Sequence, residues 1–194
     1  TSFPYYFNIS IDKELLFTPI INYGGGVDSS QRFIFDYNQI VSGGNFKTDL
    51  TFDSNFEKEN NNKWLNDASL ITKYNKNINQ NYRINIGSAL QTSKNYIQIT
   101  KPNDELSYQS SLSTNFVLEG YSLNKFDDNL KVSVSFYQTN QENEDNKLIP
   151  IVMPKIKYFL GYQNKFGNTS NSTIEFYNIF REKSNIVHAK KQQK

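Results

Sequence analysis

Apolar and polar side chains take turns along most of this chain, one position to the next. Phe7, Ile9 and Ile11 share a parity between Tyr5 and Asp12, as do Phe33, Phe35 and Tyr37 between Gln31 and Tyr37. Phe46, Leu50 and Phe52 alternate with Lys47, Asp49 and Thr51, and Tyr82, Ile84 and Ile86 alternate with Arg83 and Asn85. The cleanest run sets Leu130, Val132, Val134 and Phe136 against Lys131, Ser133 and Ser135; Ile156, Tyr158, Leu160 and Tyr162 follow the same rule. Successive side chains of a β-strand point to opposite faces, so this period predicts strands. Further runs at 15–21, 96–100, 115–121 and 148–152 bring the expectation to about ten strands of ordinary length. Turn-forming clusters separate them, among them Gly24-Gly25-Gly26, Gly43-Gly44, Pro102-Asn103-Asp104 and Asp127-Asp128-Asn129. The connections are too short for helical crossovers, so pairing is expected to be antiparallel. A polar second face implies sheets wet on one side. The predicted class is all-β: an antiparallel β-sandwich, jelly-roll-like, with at most one or two short helices.

Two stretches resist this pattern. Residues 57–81 are crowded with Asn and Lys around Trp64, Leu65, Ala68 and Ile71, and read as a long decorated loop with a helical turn or two. Ser172 and Glu175 have the spacing of a helix capping box, yet Thr173–Phe180 reads equally as a last strand, and the strand is favoured. The expected organisation is one domain over 1–180, carrying the 57–81 loop, followed by a tail at 181–194. No internal repeat is present.

Composition explains how such a chain folds with few aliphatic residues. Fifteen Phe and 13 Tyr supply large buried areas where Leu and Val are scarce. The 27 Asn belong in turns and on wet strand positions. Together with the Lys, Ile, Tyr and Phe excess they also match the codon bias of an AT-rich genome. The formal net charge is +2, but the tail alone carries Arg181, Lys183, Lys190, Lys191 and Lys194 against Glu182. A basic tail on a nearly neutral body suits weak contact with nucleic acid or an acidic surface.

Catalytic chemistry is sparse. Cysteine is absent and His188 is the sole imidazole, which excludes zinc–thiolate sites, thiol catalysis and a Ser-His-Asp triad on the body of the domain. Gly24–Ser30 lacks the Lys of a phosphate-binding loop. The acids are read as clustering in loops, at Glu57 and Glu59, Asp127 and Asp128, and Glu142, Glu144 and Asp145, so a two-carboxylate glycosidase is a minor alternative. Asp127, Asp128 and Asn129 are weak candidates for Ca²⁺ ligands, without an EF-hand pattern. Arg32, Arg83 and Lys131 sit on outward strand faces but scattered, which argues against a nucleic-acid platform. No apolar run has the length of a transmembrane helix.

These readings lead to the expectation of a non-enzymatic structural subunit of a larger assembly, a virus or phage virion, as a capsid, decoration or fibre-associated protein. It needs no cofactor, and its partners are protein subunits of the same or a neighbouring kind, with no membrane. Thr1, Phe3, Tyr5 and Tyr6 at one end and Arg181, Lys190, Lys191 and Lys194 at the other are the expected assembly contacts. The alternative is a secreted or cell-surface carbohydrate-binding module, lectin-like, with Trp64, Tyr74, Asp28, Asn45 and Asp127 as its site.

Overall fold

A computed structural model describes residues 2–21, 30–55, 67–122, 127–141, 145–163 and 169–182. Ten strands follow in order: β1 (Tyr5–Ser10), β2 (Lys13–Ile21), β3 (Ser30–Val41), β4 (Gly44–Asn55), β5 (Asp67–Asn77), β6 (Tyr82–Gln91), β7 (Ser111–Tyr121), β8 (Asp127–Thr139), β9 (Ile151–Gln163) and β10 (Thr169–Phe180). Each pairs antiparallel with the next, and the order in space is the order in sequence. The all-β antiparallel expectation is therefore met. The division into two packed sheets is not, because all ten strands lie in one open sheet.

Three local expectations are corrected. Residues 96–100 form a short helix, α1 (Tyr96–Thr100), in place of a strand. Tyr96 and Ile97 are both buried. A strand would send these neighbours to opposite faces, whereas a helical turn lets both dock on one sheet. Residues 67–77, expected inside a loop, are β5; its alternation of Ala68, Leu70, Thr72 and Tyr74 is hidden because apolar Ile71 falls on the other parity and Lys and Asn fill the strand after it. The Leu148–Val152 run begins as a 3₁₀ turn at Asn146–Leu148, and its strand starts at Ile151. The last segment, by contrast, is strand through Phe180 as favoured.

The register sorts side chains onto two unlike faces. Opposite residues point the same way, so Phe17, Phe35, Leu50, Leu70 and Leu90 form one row across β2 to β6. Aromatic rings reinforce it: Phe17 stacks on Phe35 with centroids 4.6 Å apart, and Phe33 meets Phe52 at 5.1 Å. Such cross-strand pairs contribute roughly 0.2–1 kcal/mol each. The row continues through Ile86 and Phe116 to Val134, and through Val132 and Ile156 to Phe176. On this face the charged residues of the described strands are Lys13, Lys76 and Asp128, all at strand ends. Near mid-strand its polar members pair among themselves, Thr48 with Thr72 at 3.0 Å and Ser88 with Thr114 at 3.1 Å. The opposite face carries the charge, from Glu14, Asp36 and Asp49 across to Lys131, Lys155 and Lys157.

The connections on the two rims of the sheet differ in length. Along one rim they are short: two residues after β1, two after β3, four after β5, and five after each of β7 and β9. Along the opposite rim they run to eight, eleven, nineteen and eleven residues. The tightest, β3–β4, needs glycine: Gly43 has φ +78°, and a Cβ on Gly44 would lie 1.9 Å from the Asn75 carbonyl oxygen.

Very little of this sheet is covered. Among the described residues the buried hydrophobics are Ala89, Tyr96, Ile97 and Leu112. They sit where the nineteen-residue connection folds back, with Ile71 and Leu106 packed around them. The apolar face stays open, with Phe116 at 45% and Ile174 at 69% exposure.

Candidate functional site: the charged face

The charged face is assembled by strand register and by the β6–β7 connection that lies on it. On β3 and β4, Arg32 faces Asp53 and Asp36 faces Asp49. The Arg32 guanidinium grips Asp53 with two hydrogen bonds, Nε at 2.7 Å and Nη2 at 2.9 Å. This fork geometry is the strong form of an ion pair. Tyr96 lies against the pair; burial first, then the neighbouring Asp53 carboxylate, holds its phenol above the usual range. Asp36 and Asp49 are two carboxylates directly opposite one another. Burial, the hydrogen bond with Asp49 and repulsion from it push the Asp36 carboxyl up to about 6. Lys101, just past α1, donates to Asp49 and offsets part of that repulsion.

Amide side chains fix the connection in place. Ladder pairing between β6 and β7 ends at Gly87 opposite Asn115, and the strands separate beyond it. Gln138 of β8 fills the gap: it accepts from the Gln91 backbone N–H at 3.0 Å and donates to the Gln91 carbonyl at 2.7 Å. In effect one side chain replaces a strand. Gln91 then accepts from the Ile97 N–H at 2.9 Å and donates to Asn140 Oδ1 at 3.0 Å. Asn140, itself buried, donates to the carbonyls of Leu106 at 3.1 Å and Gln109 at 3.0 Å. Buried polar groups need partners, and this network supplies them while pinning the segment.

The far side of the face, on β7 to β9, is basic. Lys131 lies directly opposite Lys157, and Lys155 opposite Ser133. Glu119 holds Lys131 at 3.1 Å and Glu175 holds Lys155 at 2.7 Å. Each partner shifts its counterpart: the Lys155 contact is the main cause keeping the Glu175 carboxyl below its ordinary value, and Glu175 raises Lys155. Asn115, Val117, Ser133, Ser135 and Tyr137 complete a depression of about 460 Å³.

The residues singled out from sequence distribute as follows. Asn45 and Tyr74 lie near the same hairpin but on opposite faces, Asn45 beside Asn75 and Tyr74 beside Phe46. Asp28 and Trp64 lie outside the described residues, as do Thr1, Lys190, Lys191 and Lys194. Asp127 opens β8, which three strands separate from β4 in the sheet. Asp128 is buried and its Oδ2 accepts from the Tyr158 hydroxyl at 2.9 Å, while Asn129 faces Phe159. Phe3, Tyr5 and Tyr6 are exposed at the β1 edge, and Arg181 is exposed after β10. No group of three or more His, Asp or Glu side chains with metal-binding placement occurs among the described residues.

Sequence reasoning missed the acids of β3 and β4, because it sought carboxylates in loops. The signal was present: Asp36, Asp49 and Asp53 all fall on the non-aromatic parity of their strands. It also took Lys131 as isolated, where the register joins it to Lys157. Comparison with protein-family models, curated proteins and solved structures finds no match to this chain.

Proposed function

We propose that this sheet is the wall of a transmembrane β-barrel, with its charged face lining an aqueous interior. The observation that carries this is the apolar face, which is free of Asp, Glu, Lys and Arg between the strand ends and keeps Leu50, Leu70, Phe116, Phe136, Ile156 and Phe176 exposed. Ten strands spaced about 4.8 Å apart make a face roughly 43 Å wide. Soluble monomers rarely expose apolar patches above a few hundred Å². A bilayer would bury this one with the backbone paired across the sheet, leaving unpaired groups only at the two edges, which closure would pair.

Two further features fit. Strands of nine to thirteen residues make up β2 to β10, matching the about 9–11 residues that tilted membrane strands need. Short connections on one rim and long ones on the other are the pattern of outer-membrane barrels. β1 and β10 run antiparallel to each other, so closing their edges, directly or through further strands, continues the ladder. That no described helix is long and apolar enough to cross a membrane has no bearing on a crossing made with strands.

The interior would then hold polar solutes against a face that is acid-rich at β3–β4 and basic at β7–β9, with the β6–β7 connection folded into it. The virion-subunit expectation is the second outcome of the deciding experiment. The full chain is expressed, refolded with and without detergent or lipid vesicles, and followed by circular dichroism and flotation. Native strand content only with detergent or lipid, and co-flotation with vesicles after an alkaline wash, are expected. A folded, detergent-free oligomer would overturn the barrel in favour of the assembly subunit, and a detergent-free monomer would overturn both.

A further inference from the structure

The three lysines on β8 and β9 form a pattern that folding alone does not call for. Lys131 and Lys157 face each other directly across the ladder. Like charges at such positions destabilise a sheet. Lys155, two residues along the same strand and on the same face, brings a third ammonium. Only two carboxylates answer them: Glu119 pairs Lys131 and Glu175 pairs Lys155. Lys157 has no ion pair among the described residues, although Glu175 lies opposite it. These side chains border the 460 Å³ depression together with Ser133, Ser135, Tyr137 and the Asn115 amide. The lining is thus built of ammonium and hydroxyl donors, with one apolar member, Val117. The other depressions differ: one is lined by Glu14 and Asp36 with Lys47, the other by asparagines with Lys76 and Arg83.

We infer that this depression is a binding site for a phosphate-bearing anion, with Lys157 as its principal contact and Lys131 and Lys155 as flanking charges. Donor chemistry supports that class. A phosphate group presents several strong acceptor oxygens and close to two negative charges near neutral pH. Lysine meets it as a point charge on a flexible stem, and hydroxyls supply shorter directional bonds. Two ammonium groups held opposite one another lose their repulsion when a dianion sits between them. A monocarboxylate would neutralise one charge and leave the others. The inference deepens the barrel reading, because it names what the basic side of the interior holds, yet the site is a property of the sheet face and is tested apart from the membrane.

The test is titration of the full folded chain, in zwitterionic detergent or in buffer according to where it folds, with inorganic pyrophosphate followed by calorimetry. Acetate at equal ionic strength serves as the comparison anion. Lys157→Gln is the diagnostic variant, since it leaves both ion pairs intact and so preserves folding. It is expected to weaken pyrophosphate binding about tenfold, whereas Lys157→Arg restores most of it and Lys47→Gln, in the acid-rich depression, leaves it unchanged. Affinity should fall steeply with added salt. Pyrophosphate and acetate binding alike, equal loss in the Lys47 and Lys157 variants, or absence of saturable binding would overturn the site. A phosphomonoester solute and vesicles bearing phosphomonoester lipid, titrated in parallel, separate the sources: competition by the soluble ester places the anion in the aqueous interior. Binding that survives in a chain folding without lipid refutes the barrel and keeps the site; flotation with no anion binding does the reverse.

Discussion

Ile86 and Gly87 are neighbours on β6 that point to opposite faces, and a charge placed at each separates a lipid-facing surface from a wet one. Ile86 lies on the apolar face opposite Tyr74 and Phe116. Gly87 lies on the charged face, and a Cβ built on it meets nothing within 4 Å. Ile86 is four residues from the start of its strand and five from the end. At about 3.3 Å per residue and a tilt near 45°, that places it roughly 9–12 Å inside each rim. This is the middle of an apolar band about 25 Å tall. An arginine there costs about 2–4 kcal/mol in a bilayer, a factor of roughly 30 to 900 in the folded population. Gly87→Arg removes a flexible residue from a strand and projects into open space. Its main penalty is the like charge of Lys73 opposite, about 0.2–1 kcal/mol. Both variants are refolded into vesicles and titrated with urea, using tyrosine fluorescence and gel mobility as readouts. The expected result is a large drop in midpoint for Ile86→Arg and a small one for Gly87→Arg. Equal shifts, or an Ile86→Arg chain that becomes more soluble in water without losing stability, would refute the assignment of faces.

Other expectations follow from the segment on the charged face. Ile97→Ala removes the most deeply buried side chain beneath it; a loss of about 2–5 kcal/mol is expected, seen as faster amide exchange across 95–108 with the distant β9–β10 ladder unchanged. Gln138→Leu leaves the Gln91 N–H and carbonyl without their partner; a cost of about 1–3 kcal/mol per unsatisfied group should appear in the urea midpoint, whereas Gln39→Leu, which frees only the Tyr37 hydroxyl, should cost less. Asp36 has its pKa raised in the fold to about 6. Its contribution is therefore fully present below about pH 4 and lost as pH rises through 6. Melting followed from pH 4 to 6.5 should show stability falling over that window, by about 1 kcal/mol after allowing for solvent screening, and Asp36→Asn should flatten the slope.

Strand positions were legible wherever the aromatic parity was unbroken, as in β3 and β8. β5 was not, because Ile71 breaks its parity and its second half is filled with Lys and Asn, the residues that also build loops. Residues 96–100 misled for the opposite reason: Tyr96, Ile97 and Ile99 look like strand material, but their surroundings decide their conformation. The Ile97 N–H finds its acceptor on the Gln91 side chain, a contact from outside the local pattern. The lysine cluster was hidden for a geometric reason. Lys131 and Lys157 are 26 positions apart, and only the register of β8 on β9 makes them opposite.

Period-2 alternation is symmetric about the sheet. It states that two faces differ and leaves open which of them is inward. A sandwich and a membrane barrel write the same pattern, one burying its apolar face against a second sheet and the other against lipid. The quantity that separates them is the number of strands left to form that second sheet. Here all ten are consumed in a single meander with sequential neighbours, so no described strand remains to cover the aromatic face. Fourteen charged residues on the opposite face would be costly to cover with another apolar layer. Water therefore belongs on the charged side, and whatever meets the aromatic side must be apolar over the full width of the sheet. Lipid satisfies that condition without demanding a matching surface from any partner.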